Sequence, residues 1–596
     1  MNTIKIILDL LTSRERRQGY LLLCMIIVMA LLEVVGVASV MPFISVLANP
    51  EVVESNLWLN AVYTTLGFRE LRAFIFFLGI VVFAFLVLSI GFKALTTYAL
   101  LRYTMMCNYS LSKRLVAGYL YQPYDWFLNR HSADLGKTIL SEVQRVVIGS
   151  IVPMMQLIAG CTVALALLAL LISVDPMLAL AAIVSIGGAY VLIYLALRHY
   201  LVRIGDESLQ ANRERYEVVQ EAFGGIKDVK VAGLEGAMVN RYDGPAKLFV
   251  SNQASSQVVS QLPRFALEIV TFGGILAVVL HLMASRGGLQ QALPVIALFA
   301  FAGYRLMPAL QQIYGNLSKV RFSGPALEAL HQDFKRLDKG QELIRHYPEP
   351  LGLNEDITLG AVHYTYPGAE RPTLNNLTLT IPARKTVGLV GTTGSGKTTM
   401  VDIILGLLTP SGGELQIDGK SMIPKNVRAW QRTIGYVSQH IYLSDDTIAA
   451  NIAFGMPVEH INMDAVERAA RVANLHDFVI NDMAQGYATK VGERGVRLSG
   501  GQRQRIGIAR ALYHDPDVLI LDEATSALDS FTEQAVMEAV HNLGHRKTII
   551  LIAHRLSTVQ GCDTIFLLEK GELKGQGSFD ELIESNERFR AMVANR

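Results

Sequence analysis

The chain has 596 residues, of which 51% are hydrophobic, and its formal net charge is only +2. This length exceeds what one hydrophobic core usually organises, so several structural units are expected. The balanced charge excludes the broad basic surface that is typical of a nucleic-acid-binding protein. The four cysteines are isolated and lack CxxC spacing, which indicates neither a disulfide framework nor a zinc site.

The first half of the chain contains six apolar stretches that are long enough to cross a bilayer core, which needs about 20 helical residues. The stretches are 20–46, 73–95, 151–174, 176–198, 265–285 and 289–310. Arginines precede the first stretch as in a secretory signal, but its length and the stretches that follow favour a retained span. The long connections after the second and fourth spans are rich in Lys and Arg. The positive-inside rule therefore places them, the N-terminus and the C-terminal domain in the cytoplasm.

Two connecting segments have features of their own. Residues 49–71 mix apolar and polar side chains, which fits either a short amphipathic helix at the outer interface or a simple loop. Polarity rises after the sixth span and ends at Pro348-Glu349-Pro350, the composition of a rigid linker. We therefore predict a transmembrane domain at 1–320, a linker at 321–350 and a soluble domain at 351–596.

The soluble half alternates short β-branched runs with helical stretches, the pattern of an α/β domain. The runs that we interpret as strands are 386–390, 434–437, 518–521 and 548–552.

A glycine-rich loop follows the first of these runs. Residues 391–398 read Gly-Thr-Thr-Gly-Ser-Gly-Lys-Thr and satisfy the phosphate-loop pattern G-x-x-x-x-G-K-[ST], with an apolar helix expected from about Thr399. Glycines let backbone N–H groups approach phosphates, Lys397 would reach the terminal phosphates of ATP, and Thr398 would ligate Mg²⁺. The candidate ATP-binding residues of this loop are Gly391, Thr392, Thr393, Gly394, Ser395, Gly396, Lys397, Thr398 and Thr399.

Two carboxylates follow the run 518–521. Because this run reads as a buried strand, Asp522 and Glu523 are expected at its C-terminal end, where nucleotides bind in open α/β sheets. Asp522 could hold Mg²⁺, directly or through water, and Glu523 could orient or deprotonate the attacking water. A solvated acidic turn is the alternative interpretation.

Between these elements lies Leu498-Ser499-Gly500-Gly501-Gln502, and here the sequence resembles the ATP-binding cassette (ABC) transporters, whose signature motif is LSGGQ. The resemblance implies a membrane all-α domain of six helices, of the ABC exporter type, fused to an α/β P-loop nucleotide-binding domain. In the family this motif contacts ATP that is held by the other nucleotide-binding domain. Ser499, Gly501 and Gln502 therefore imply an ATP sandwich in a homodimer.

The resemblance also implies roles for residues outside these motifs. Tyr366 corresponds to the aromatic residue that stacks on adenine, Gln439 to the glutamine that touches Mg²⁺, Asp529 to the D-loop at the dimer interface, and His554 to the switch histidine. Tyr366 and His554 could instead be core or structural residues. The segment 492–495 resembles a loop that exporters use to couple domains, and segments 124–129 and 223–231 would transmit motion to the spans.

Ionisable residues inside spans are costly and tend to mark substrate pathways. Lys93, Arg264 and Arg305 could form a cationic belt for a phosphate-bearing head group. The two carboxylates are Glu33 in the first span and Glu268, which enters the fifth span with Arg264. Two of the cations have simpler explanations, since Lys93 could extend to the interface and Arg264 could pair with Glu268 one turn away.

Shorter motifs look like bacterial lipid-linked oligosaccharide flippases of the protein-glycosylation type. They are Val-Met-Pro-Phe-Ile at 40–44, Tyr-Arg-Leu-Met-Pro at 304–308 and Leu-Pro-Arg at 262–264. The resemblance implies a glycan linked to polyprenyl pyrophosphate as the cargo, no nucleic acid, and a place in the bacterial cytoplasmic (inner) membrane. Two alternatives are a drug, peptide or phospholipid exporter and an ATP-gated channel or receptor. The six apolar stretches exclude a soluble cassette ATPase.

Overall fold

The computed structural model describes residues 2–128, 130, 132–285, 289–337, 348–523, 530–543, 546–553 and 555–594. Within helices the side chains of some further residues, chiefly 263–264, 266–272 and 274–299, are outside the described part. The chain divides into two compact units: Met1–Gln122 with Asn129–Gln341, and Pro123–Leu128 with Glu342–Arg596. The domain boundaries expected at 320 and 350 stay predictions, because residues 338–347 are among those not described.

The first unit is helical, and most of its helices are joined by short turns. Short π-helical turns join several of the helices between residues 138 and 188. Its helices are α1 (Asn2–Leu10), α2 (Ser13–Ala38), α3 (Val40–Ala48), α4 (Val52–Ser55), α5 (Leu57–Thr65), α6 (Leu71–Leu120), α8 (Ser132–Lys137), α9 (Val143–Val146), α10 (Val152–Val174), α11 (Pro176–Ala182), α12 (Gly188–Gly224), α13 (Ile226–Ala232), α14 (Glu235–Ser285) and α15 (Leu289–Leu337). A further short helix, α7 (Tyr124–Leu128), groups with the second unit.

The first predicted span, 20–46, is divided between two helices. Helix α2 ends at Ala38 and α3 begins at Val40, with Ser39 between them. Pro42 explains the break, because proline lacks an N–H and its ring clashes with the carbonyl group four residues earlier. The start of α2 is capped in the ordinary way, since Thr12 accepts from the Glu15 backbone N–H and the Glu15 side chain accepts from Thr12.

Hydropathy identifies three segments of the described residues as long and apolar enough to cross a membrane: Ser13–Ala48, Leu71–Leu120 and Asp134–Val174. The other three predicted spans fall on α11–α12, the end of α14 and the start of α15, where many side chains are outside the described part. Helix α6 is much longer than the predicted span 73–95. Most of its apolar surface is not covered by protein, as expected for a helix that faces lipid.

The interior of the membrane unit is formed where α2, α10 and α15 pack together. Its buried residues include Met29, Val37, Leu167 and Leu306. The segment 49–71, for which a short helix or a simple loop was expected, contains the helices α4 and α5. The Leu57 and Trp58 side chains of α5 are 88% and 84% exposed, which fits a helix that lies at a membrane interface.

The second unit contains two sheets. A four-stranded antiparallel sheet has the strand order β2-β1-β4-β5, and a six-stranded sheet has the order β10-β9-β3-β8-β7-β6, in which only β10 is antiparallel. The strands are β1 (Asp356–Tyr364), β2 (Leu374–Pro382), β3 (Thr386–Val390), β4 (Gly412–Ile417), β5 (Lys420–Ser421), β6 (Ile434–Val437), β7 (Val518–Asp522), β8 (Thr548–Ile552), β9 (Thr564–Glu569) and β10 (Glu572–Gly577).

Helices cover both faces of the six-stranded sheet, and β3, β7 and β8 are buried along their whole length. Strands that are buried on both faces read as continuous apolar runs, which is why all four predicted strands are found. The helices are α16 (Lys397–Ile404), α17 (Val427–Gln431), α18 (Ile448–Ile452), α19 (Met463–Val472), α20 (His476–Asp482), α21 (Gly500–Leu512), α22 (Ser530–Leu543), α23 (Leu556–Val559), α24 (Phe579–Ser585) and α25 (Glu587–Ala594).

Candidate functional site

The glycine loop lies between β3 and α16, at the carboxyl end of the parallel sheet. Gly394 and Gly396 have φ angles of 79° and 101°, a region that favours glycine. A Cβ atom on Gly396 would lie 2.8 Å from Leu374 Cδ2, and one on Gly391 would lie 2.3 Å from the Leu568 carbonyl oxygen. The loop therefore needs glycine for its conformation and for its close contacts with neighbouring backbone.

Lys397 begins α16, two residues earlier than the predicted helix start. Its Nζ donates hydrogen bonds to the carbonyl oxygens of Gly391 (2.7 Å) and Thr392 (3.1 Å), so the ammonium group lies inside the loop. Burial lowers the pKa of Lys397, while Glu523 and Asp522 act in the opposite direction. The buried Ser395 Oγ has no hydrogen-bond partner in the described part of the chain. A cation and an unsatisfied hydroxyl in a glycine loop at a helix N-terminus suit a phosphate group.

Strand β7 delivers the two predicted carboxylates to the same edge of the sheet. Asp522 is buried at the strand end and accepts a hydrogen bond from the Tyr436 hydroxyl at 3.4 Å. Glu523 has φ 50°, a left-handed conformation that is uncommon for a glutamate. Its Oε2 accepts a hydrogen bond from Gln439 Nε2 at 2.8 Å. Gln439 and Glu523, which are far apart in sequence, are therefore in direct contact.

A third carboxylate lies close to this edge and was not predicted. Asp402, on α16, is 9% exposed, and burial together with the charge of Asp522 raises its pKa to about 6. Its position in the apolar run Met400–Ile404 is the sequence signal that could have identified it. The negative charge of Asp522 disfavours ionisation of Asp402. Below about pH 6, Asp402 is therefore mostly neutral, whereas an ordinary aspartate would be charged.

Tyr366 lies beside the loop and is half-buried. Its hydroxyl is 3.1 Å from Thr399 Oγ1, and its ring meets the Tyr364 ring edge-on, with centroids 5.1 Å apart. These contacts fix the ring next to α16. They agree with a stacking role and also with the alternative that Tyr366 is a packing residue, so its role stays a prediction.

The Ser499 motif caps helix α21. Ser499 Oγ accepts from the Gln502 backbone N–H at 3.2 Å, and Gln502 Oε1 accepts from the Ser499 N–H at 2.8 Å. Ser499 is exposed, and Gly501 beside it is partly exposed. Further along α21, the buried Gln504 donates to the Glu523 carbonyl oxygen at 3.4 Å. Sequence reasoning missed this link, because Gln504 lies in the polar run Gln502–Arg505, where nothing marks it as buried.

Several predicted residues are outside the described part of the chain. Asp529 and His554 are among the residues that are not described, as are the side chains of Arg264 and Glu268. Their proposed roles in the dimer interface, in catalysis and in the cationic belt therefore stay predictions.

The membrane unit brings two of the predicted cations to one carboxylate. Lys93 Nζ lies 2.8 Å from Glu33 Oε1, and Arg305 Nη1 lies 3.8 Å from the same oxygen. The Glu33 side chain is only 2% exposed, and all three residues line a cavity of about 220 Å³. Lys93 is therefore engaged in an ion pair, while half of its side chain is exposed, so its role as a substrate contact or as a residue that extends to the interface stays a prediction. The three groups carry an excess of one positive charge.

Two family models match the chain. The model described as "ABC transporter transmembrane region" matches residues 18–304, and the model described as "ABC transporter" matches residues 374–526. The first spans the region from α2 to the beginning of α15. The second contains the glycine loop, the Ser499 motif and both β7 carboxylates.

Curated relatives resemble about two thirds of the chain. The "ATP-dependent lipid A-core flippase" of Cupriavidus metallidurans is 35% identical over 392 residues, 65% of this chain and 64% of that protein. "Heterocyst differentiation ATP-binding protein HepA" of Nostoc sp. is 36% identical over 380 residues, 63% of this chain and 60% of that protein. The "ATP-dependent lipid A-core flippase" of Escherichia coli is 32% identical over 373 residues, which are 61% of this chain and 62% of that protein. Each match thus spans less than two thirds of the relative's own length.

A solved structure described as "Structure of a bacterial Atm1-family ABC exporter with ATP bound" has the same fold. It matches with a TM-score of 0.78 at 23% identity, covering 96% of this chain and 98% of the other.

Proposed function

Because the chain belongs to the ABC transporter family and has the fold of an exporter half-transporter, we propose that it is an ATP-driven flippase. The proposed cargo is an oligosaccharide linked to polyprenyl pyrophosphate, which moves from the cytoplasmic to the outer leaflet. The apolar helices make it a membrane protein. The bacterial relatives and the basic connections between spans support a place in the bacterial inner membrane, with the second unit in the cytoplasm.

The residues at the sheet edge fit ATP and Mg²⁺. The glycine loop and the N-terminus of α16 would bind the phosphates, Lys397 would contact the terminal ones, and the unsatisfied Ser395 hydroxyl would gain a partner. No group of three His, Cys, Asp or Glu side chains forms a metal site among the described residues. This suits Mg²⁺, which usually binds one or two protein ligands together with substrate phosphates, here Thr398 and Asp522 with Gln439 nearby. Bound Mg²⁺ would neutralise charge on the phosphoryl oxygens during transfer.

Glu523 is the proposed general base. Its backbone conformation and its hydrogen bond from Gln439 hold the carboxylate at the end of β7, where it could accept a proton from the attacking water. Gln439 could keep this carboxylate in place and exchange to Mg²⁺ when nucleotide binds. His554, by family resemblance, would contact the γ-phosphate.

A second copy of the chain is the proposed partner. The Ser499 loop forms the exposed N-terminus of α21, a position that favours anions. By family resemblance, this loop would contact ATP that is held by the other copy. A closed dimer with two-fold symmetry would complete two such sites, with Asp529 at the interface.

The observation that carries the cargo assignment is the charge cluster of Glu33, Lys93 and Arg305. Charges inside a membrane domain are expensive, and this cluster, in which Glu33 is buried and Lys93 is half exposed, lines a cavity and has one excess positive charge. A pyrophosphate group could replace Glu33 as the partner of both cations, with Arg264 as a further candidate. A neutral drug would gain nothing from this arrangement.

A second candidate cargo is suggested by the relatives. Two of them are described as lipid A-core flippases, so a glycolipid of that kind is the alternative among lipid cargoes.

The test is ATP-dependent translocation of a labelled polyprenyl-pyrophosphate oligosaccharide in proteoliposomes. Wild type should move the lipid, while Glu523→Gln and Arg305→Ala should not. The matched control is Arg203→Ala, since Arg203 is exposed and pairs with Glu207 in its own helix. If wild type hydrolyses ATP without moving this lipid, the cargo assignment is wrong and the same assay is repeated with lipid A-core.

A further inference from the structure

The membrane unit contains a second and larger cavity, of about 670 Å³, between α10, α12, α14 and α15. This volume is in the range of roughly 300–1,000 Å³ that is usual for ligand sites. Its lining is unusual for a membrane helix bundle because half of it consists of amide side chains. These are Gln156, Gln257, Gln261, Gln311, Gln312 and Asn316.

Two polar atoms around this cavity, the Tyr190 hydroxyl oxygen and Asn316 Nδ2, have no hydrogen-bond partner among the described residues. Tyr314 and Asn316 line the cavity and are each only 3% exposed. Buried polar groups are almost always hydrogen-bonded, because leaving one unsatisfied is costly. The orphaned groups therefore indicate a polar ligand in this chamber.

The chemistry of the lining defines the class of that ligand. Among the described residues that line the cavity, Lys319 is the one with a charged side chain, and none is a carboxylate. Amides and hydroxyls both donate and accept hydrogen bonds, which suits a molecule with many hydroxyl groups and little charge. The Tyr190 and Tyr314 rings, with centroids 5.6 Å apart, add apolar faces. This combination matches a saccharide.

We propose that this amide-lined chamber binds the glycan portion of the cargo. The proposal rests on the flippase function and adds to it the site that holds the sugars.

The arrangement along α15 supports this assignment. Arg305, Gln312 and Lys319 are spaced seven residues apart, so they lie on nearly one stripe of the helix, roughly 10 Å from one to the next. Arg305 lines the charge-cluster cavity, Gln312 lines both that cavity and the chamber, and Lys319 lines the chamber. A pyrophosphate at Arg305 would therefore place the sugars attached to it beside Gln312 and Asn316. The order of sites follows the order of groups in the lipid.

The test uses the full-length protein in lipid nanodiscs and measures ATPase stimulation by two probes. One probe is undecaprenyl pyrophosphate, and the other is the same lipid carrying an oligosaccharide. The variant is the double change Gln156→Leu and Gln311→Leu, which removes two amides from different helices and is compatible with membrane insertion. The control is Gln210→Leu, since Gln210 is exposed and bonded to Glu214.

We expect half-maximal stimulation of wild type at a concentration about tenfold lower for the glycan-bearing lipid than for the sugar-free lipid, the effect of two ordinary hydrogen bonds. In the double variant this preference should fall to less than twofold, with an unchanged response to the sugar-free lipid, which also shows that the variant is folded. The control should keep the full preference.

Other outcomes separate failure of the glycan site from failure of the proposed function. Equal responses of wild type to the two lipids refute the glycan site and leave the pyrophosphate cargo intact. If neither lipid stimulates wild type, the proposed function fails, and the chamber is then judged by thermal stabilisation with the free oligosaccharide. Stabilisation of wild type but not of the double variant supports a saccharide site for a different cargo, and no stabilisation overturns it. Equal stabilisation by an uncharged peptide of similar size would also refute a saccharide site.

Discussion

The raised pKa of Asp402 predicts that Asp402→Asn stabilises the nucleotide-binding unit at neutral pH. The folded protein holds this carboxyl at a pKa of about 6, compared with 3.8 for the unperturbed group. The folded state therefore binds the proton more tightly than the unfolded state, and stability falls as the pH rises from about 4 to about 6. A shift of about two pKa units corresponds to about 3 kcal/mol, since each unit corresponds to 1.36 kcal/mol. Asparagine carries no charge and removes this penalty.

The measurement is the thermal unfolding midpoint of the full-length protein without nucleotide. For a unit of this size, about 3 kcal/mol corresponds to a rise of roughly 6–12 °C at pH 7.5. At pH 4.5, where the folded protein is mostly protonated at Asp402 but the unfolded chain is still mostly ionised there, the difference between variant and wild type should fall to about a third. A gain of the same size at both pH values would show that packing, rather than ionisation, is responsible, and would refute the reasoning.

Asp418 is a matched control with the opposite sign. Partial burial opposes its ionisation, but backbone N–H groups of Glu355, Asn354 and Asp356 donate to it and hold its pKa below the usual value. This carboxylate contributes stability above its ordinary pKa, and the contribution is lost as the pH falls through the lowered value. Asp418→Asn should therefore lower the unfolding midpoint at pH 7.5.

Three further predictions concern function. Glu523→Gln should lower the ATPase rate by about 10²–10⁴-fold, the usual contribution of a general base, while binding of a fluorescent ATP analogue is retained; hydrolysis near the wild-type rate would exclude the assigned base. Gly396→Ala should weaken binding of the same analogue at least about tenfold, because alanine at φ 101° is strained and its Cβ meets Leu374; unchanged affinity would show that the loop adapts. Glu33→Gln should let undecaprenyl pyrophosphate stimulate the ATPase half-maximally at a concentration several-fold lower, since it raises the excess positive charge beside Arg305 from one to two. Weaker stimulation would mean that Glu33 positions the cations rather than competing with the lipid.

The motifs of the nucleotide site were predictable because each of them is a short contiguous stretch of sequence. The glycine loop, the strand before Asp522 and the Ser499 motif are local patterns, and each folds as its spacing indicates. The contact of Gln439 with Glu523 joins residues 84 positions apart. Spacing could not give this contact, although the family resemblance suggested that both residues act at one site.

The membrane unit was less predictable from hydropathy. The pattern located spans but not helix ends, because α6 continues to Leu120 with a mixed surface once it leaves the apolar stretch. The ion pair between Lys93 and Glu33 also escaped prediction, since it depends on which helices are neighbours and at what height. The burial of Asn316 Nδ2, which has no partner in the described part of the chain, is likewise a property of packing.

Helix α15 has a consequence for energy transfer within the membrane unit. Its 49 residues form one continuous helix, roughly 73 Å long if straight, with the stripe of Arg305, Gln312 and Lys319 along one side. Rotation of this helix about its own axis moves all three side chains by the same angle. A ligand that contacts the helix at several heights therefore opposes this rotation at every contact. By thermodynamic reciprocity, any event that rotates the helix must change the affinity for that ligand, and the ligand must bias the rotation by an equal free energy. A long lipid-linked ligand would then be coupled to helix orientation more strongly than either of its halves.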